Sequence, residues 1–219
     1  MSLQSLRYSW LTYRRDQLWF PLALFLLFVA LVLFLPQPAV RINLARAYLG
    51  FILPLIGGIT AASAVLDDPA LELRFSMPQR ASRTLLHRVG LIVAIQLATA
   101  LLFQLVTLAA GIDLAALGGP LARQLAWLTP TVGQIALGTF GALASARTTT
   151  GAFLAGACWL VQLTMRGWFE ANADRLFLFK GVFSPSPPGL AANQLTLLAF
   201  AALLFWLSSL LLERQERYL

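Results

Sequence analysis

The sequence predicts an all-α, polytopic membrane protein, and three observations carry that prediction. Of the 219 residues, 59% are hydrophobic and 11% charged, where a soluble domain carries about 25% charged residues. The mean hydropathy is +0.76. Uncharged apolar runs recur along the chain at about 18 residues or more, the length that crosses ~30 Å of hydrocarbon as a helix.

The chain opens on Met1–Gln17, where Leu3, Leu6, Trp10, Leu11 and Tyr13 alternate with Arg7, Arg14 and Arg15. That spacing predicts an amphipathic helix lying in the interface, with Trp and Tyr at headgroup depth. Leu18–Leu35 is the first predicted span. It is longer than the core of a secretory signal, about 7–15 residues, and no small-residue cleavage site directly follows it. Pro36–Asn43 reads as a short connection stopped by two prolines, and Leu44–Leu66 as the second span. Arg46 is expected at its outer end, snorkelling to the interface. Gly57/Ala61 and Gly58/Ala62 are small residues one turn apart, which let another helix approach closely.

Val89–Ala110 is the third predicted span and carries Gln96 and Gln104, about 80° apart around the helix at 100° per residue. Gly111–Gln124 is read as an exterior connection, and Leu125–Ala146 as the fourth span, with Gln134 and with Pro130 between two threonines. A kink is expected there, with the hydroxyls of Thr129 and Thr131 taking up freed carbonyls. Arg147–Thr149 is a tight turn into the fifth span, Thr150–Thr164. Met165–Gly189 is too polar to span and too aromatic for a solvated loop, so an interfacial or re-entrant hairpin on the outer side is expected. The sixth span is Leu195–Leu212, before the charged tail ERQERYL. The whole of residues 1–219 reads as one membrane domain.

Six spans place both termini on one side. With the termini in the cytoplasm, ten of the sixteen Arg and Lys residues fall inside: Arg7, Arg14, Arg15, Arg74, Arg80, Arg83, Arg88, Arg147, Arg214 and Arg217. That is the bias of cytoplasmic loops facing anionic headgroups. It accounts for the net charge of +7 without a nucleic-acid partner.

Several chemistries are excluded. None of the nine acidic residues lies centrally in a predicted span, so paired intramembrane carboxylates are missing. His87 and Cys158 are each the single residue of their kind, which leaves no multi-histidine metal site or thiolate cluster. His87, beside Arg88 at the expected cytosolic face and away from any deeply placed serine, disfavours a buried Ser–His pair. Gln96, Gln104, Gln134 and Gln162 remain as intramembrane polar groups, either lining a path or hydrogen-bonding between helices. A P-loop needs a lysine in G-x-x-x-x-G-K-[ST], and Lys180, the single lysine, does not stand in one. Any ATP-driven work therefore belongs to another polypeptide.

The surface to receive such a partner is Asp67–Arg88, DDPALELRFSMPQRASRTLLHR. Asp67, Asp68 and Pro69 form a helix start, with acid at the positive end and proline in the first turn. Ala70, Leu71, Leu73 and Phe75 give a short apolar face beside Glu72 and Arg74, and Ser76-Met77-Pro78 ends it. Such a helix docks into a partner's groove or lies on its own bundle.

With an interfacial first helix, six spans, an acid–Pro–basic second loop, an aromatic outer hairpin and the ERYL tail, the chain resembles the membrane subunit of type-2 ABC transporters. Its length is also similar to that of the haem-exporter B subunit. The resemblance implies that Glu72, Leu73, Ser76 and Pro78 match the family's cytosolic coupling helix, which inserts into an ABC ATPase subunit. Leu71 and Phe75 belong to the same predicted docking surface. It further implies a prokaryotic inner (cell) membrane, a second permease copy or a similar subunit, and lipid as surroundings. The chain itself would hold no cofactor, with ATP and Mg on the ATPase. The rival expectation is a membrane scaffold or assembly subunit that holds a soluble partner without transport.

Overall fold

A computed structural model describes residues 15–67, 81–184 and 188–213, and every regular element among them is helical. Helix α1 is Arg15–Phe34. A three-residue turn leads to α2, Pro38–Ala47, which runs on through a wide π-turn, Tyr48–Ile52, into α3, Leu53–Leu66. Helix α4 is Ala81–Ala109, followed by a 3-10 turn at Leu114–Leu117. Then come α5, Pro120–Ser145, and α6, Thr148–Thr164. Two short helices, α7 (Arg166–Asn172) and α8 (Lys180–Phe183), flank a 3-10 turn at Asp174–Leu176, and α9 is Leu190–Glu213.

Among the described residues, three helices are long and apolar enough to cross a membrane: Pro38–Ala64, Leu85–Ala109 and Leu190–Glu213. The first is central, with 67% of its most apolar window buried, while the other two, at 28%, turn most of that surface outward. The apolar part of α1, Trp19–Phe34, is a shorter helix, about 24 Å long at the helical rise. Helix α5 runs through the middle of the bundle, packed on α3, α6 and α9.

Proline sets one boundary differently from the sequence expectation. Pro38 starts α2 rather than stopping a chain segment, because a proline in the first turn gives up an N–H that has no helical partner. The second long helix therefore begins at Pro38, not Leu44, and Arg46 lies two turns inside it. The turn before it is closed by Arg41, whose Nε donates to the Leu35 carbonyl. The π-turn just before Pro54 has a similar cause. Pro54 offers no N–H to Gly50, and the Leu53 N–H reaches back five residues to the Tyr48 carbonyl.

Two apolar clusters mark the ends of the bundle. At one end Val32, Tyr48, Leu49, Phe103, Leu114 and Trp127 pack together. Phe25 of α1 meets Tyr48 edge-on at 6.3 Å, and Tyr48 meets Phe103 of α4 at 4.2 Å. At the other end Ala61, Ala64, Leu85, Val89, Ile92, Leu143 and Leu212 join α3, α4, α5 and α9. The small residues of α3 do bring helices close: Gly57 faces Ile135 and Thr131, and Gly58 faces Gln134 and Ala155. Helix α5 continues through Pro130, with the Thr131 hydroxyl donating to the Trp127 carbonyl at 2.6 Å. The Thr129 hydroxyl is buried without a partner, so one of the two expected hydroxyl bonds forms.

The aromatic stretch after α6 folds back on the bundle as short helical pieces. Phe177, Leu178, Phe179 and Val182 are buried with Leu197, and Phe51, Trp159 and Phe183 close around them. Two polar side chains pin it. Gln162 accepts from the Leu178 N–H at 2.7 Å, and Asn193 donates to the carbonyls of Asp174 and Phe177, both at 2.9 Å. Gln162 is thus a structural hydrogen-bonding residue. Asn193 was not distinguished by the sequence.

Candidate functional site

Besides Gln162, the three other glutamines singled out in the sequence have different surroundings. Gln104 belongs to a closed amide pair: its Nε2 donates to Gln124 Oε1 at 3.2 Å, and Gln124 Nε2 donates back at 2.9 Å. Trp127 Nε1 donates to the same Gln124 oxygen at 2.8 Å. This is a bond between α4 and α5, with its donors already spent. Gln134 is wholly buried on α5 beside Gly58 and Ala155, and both of its amide atoms lack a partner. Gln96 is buried with its Oε1 unpaired. The three are not hydrogen-bonded to one another.

A second polar feature lies at the end that carries the aromatic fold-back. Arg46, Leu49 and Gly50 from the second long helix, Leu117, Arg123 and Trp127 ahead of and within α5, and Gly181 and Val182 of α8 line one recess. The recess opens to the outside, and its enclosed part is about 20 Å³, room for about one water. Both arginines are half-buried, and the Nε of each is buried without a hydrogen-bond partner. Helical side chains lean toward the helix N-terminus. Both α2 and α5 begin at this end, and both arginines line the recess.

The acids described at this end are engaged elsewhere. Asp113 accepts from the Ala115 N–H at 2.8 Å, Glu170 pairs with Arg166 at 2.7 Å, and Asp174 pairs with Lys180. The sequence treated Arg46 as a snorkelling end residue and Arg123 as part of a connection. What distinguishes them is the early starts of α2 and α5, at Pro38 and Pro120, which bring both into the bundle.

The predicted ATPase-docking residues Leu71, Glu72, Leu73, Phe75, Ser76 and Pro78 lie outside the described residues, as does most of the predicted interfacial helix at residues 1–17. The described chain resumes at Ala81, and Arg88, seven residues into α4, is buried. No family model, curated protein or solved structure matches this chain.

Proposed function

We propose that this chain is the membrane-spanning permease subunit of an ATP-driven ABC exporter, worked through residues 67–88 by a separate ATPase subunit. The observation that carries the reading is α4. It runs unbroken from Ala81 to Ala109, 29 residues or about 44 Å at the helical rise. Its first turns are held by Leu85, Val89 and Ile92 against Ala61, Ala64, Leu143 and Leu212. A load applied just before Ala81 would pass along a stiff helix into three neighbouring helices at once. The lack of a P-loop supports an external source of that load.

In this reading α1 to α6 and α9 make up six membrane spans, counting α2 with α3, and both termini face the cytoplasm of a prokaryotic cell. The piece from Arg166 to Phe183 is a re-entrant hairpin on the far side. Two permease chains, or one with a similar partner, stand over two ATPases that bind ATP and Mg. Closure of the ATPases rocks the bundles against each other.

The triple substitution Leu71→Asp, Leu73→Asp and Phe75→Asp is expected to abolish co-purification of the ATPase while the permease still inserts. Charges in place of three apolar contacts leave a docking groove with unpaired carboxylates. Unchanged co-purification would remove the docking assignment. In reconstituted vesicles, vanadate-sensitive hydrolysis that depends on the permease supports export. Hydrolysis indifferent to the permease supports a scaffold.

A further inference from the structure

We infer that the recess between Arg46 and Arg123 is a binding site for a phosphate group. The inference does not depend on the transport reading, because it follows from geometry at the opposite end of the bundle from Asp67 and Ala81. Two guanidinium groups share one recess, each with its Nε buried and unpaired. Among the described residues neither has a carboxylate partner, and the described acids at the same end bond to Ala115, Arg166 and Lys180 instead. Arg41, one turn earlier, shows the contrast: its Nε is satisfied by the Leu35 carbonyl.

Two half-buried guanidinium groups lining one recess, each with a buried unpaired Nε, favour an anion that receives their donors. A guanidinium presents a planar fork of N–H groups that matches carboxylate and phosphate oxygens. One carboxylate, with about four lone-pair sites in one plane, takes two forks only if both approach in that plane. A tetrahedral phosphate offers oxygens to both. The rest of the lining is apolar, with Leu49, Leu117, Trp127 and Val182, so carbon attached to a phosphate at the open mouth would meet apolar side chains. At Gly50 a side chain would enter space held by Val182, since an added Cβ would fall 2.3 Å from its Cγ1. That glycine holds the wall of the recess close.

The phosphate has two possible sources: the headgroup of an anionic phospholipid, or a small phosphate-bearing solute. The test uses the full chain purified in detergent and in nanodiscs. In the first arm, inorganic phosphate and glycerol phosphate are titrated while thermal stability is followed. In the second, phospholipid retained by the protein from nanodiscs containing phosphatidylglycerol is compared with that from phosphatidylcholine alone. The variants are Arg46→Gln, Arg123→Gln, the double variant and Arg123→Lys, with Arg147→Gln as the control at the other end.

Wild type is expected to show saturable stabilisation in the first arm or selective retention of phosphatidylglycerol in the second. A response in the first arm alone identifies a solute, and one in the second identifies a headgroup. The double variant should lose at least tenfold in affinity or retention, and Arg123→Lys should fall between it and wild type. The proposal is overturned if wild type responds in neither arm, or if Arg147→Gln loses as much as the double variant. Because the first criterion is read on wild type, a poorly folding variant does not shelter it.

Discussion

Replacing Gly138 with alanine is expected to cost about 3 kcal/mol or more and to lower the yield of folded protein sharply. The added Cβ would fall 2.1 Å from the Gly58 carbonyl oxygen and 2.9 Å from its carbon. These are backbone atoms of α3, so no side chain can rotate away. On the other flank, a Cβ at Gly151 would fall 2.5 Å from the Gly138 oxygen and 2.6 Å from the Ala142 nitrogen. Helices α3, α5 and α6 thus touch through their backbones along Gly58, Gly138 and Gly151. Relief requires moving whole helices, which would also separate Ile135, Ala136 and Ala155 from their contacts.

Gly90 and Gly156 are the controls, because nothing lies within 4 Å of a Cβ at either. Alanine there should be neutral or stabilising by up to about 1 kcal/mol, from helix propensity alone. Thermal unfolding followed by size-exclusion in detergent checks this. If Gly138→Ala unfolds with Gly156→Ala, the backbone contact is not what holds the three helices together.

Asn193→Leu is expected to release the aromatic fold-back at a cost of about 2–4 kcal/mol. The estimate takes roughly 1–3 kcal/mol for the Phe177 carbonyl left unpaired and roughly 0.5–1.5 kcal/mol for the bond lost to the Asp174 carbonyl, which keeps only the Phe177 N–H at 3.4 Å. Gln162→Leu strands the Leu178 N–H and is expected to act in the same direction, at about half the cost. The observable is trypsin cleavage at Arg175, which is exposed but lies between the two pins. Cleavage should accelerate in both variants. Asn172→Leu is the control. Its Nδ2 bonds the Trp168 carbonyl on an exposed helix, and its effect should stay within about 0.5 kcal/mol. Equal cleavage in Asn172→Leu and Asn193→Leu would show that the fold-back is held by its aromatic packing instead.

Much of the helical plan was legible in the chain. Apolar run length located the helices, and Gly57, Gly58, Ala61 and Ala62 announced a close helix contact. Proline was the ambiguous signal, since Pro38 and Pro120 start helices where a break was expected in one case and a connection in the other. Both are consistent with a first-turn proline, but whether a helix follows depends on the apolar face it buries. The glutamines show the same limit. Composition admits path-lining and helix-bonding roles alike, and the choice for Gln104 rests on Gln124, which stands twenty residues away on another helix.

The sequence by itself determined the helical class, the long apolar helices and the want of a nucleotide-binding loop. These properties are sums over neighbouring residues: hydropathy, length and local motif. The tertiary structure decided that α5 is the centre, that Gln162 and Asn193 pin the fold-back, and that Arg46 and Arg123 share a recess without a described acid partner. Each of those depends on which distant side chains or backbones meet. A buried polar group is a bond or an unpaired charge according to its neighbour, and the neighbour is set by packing.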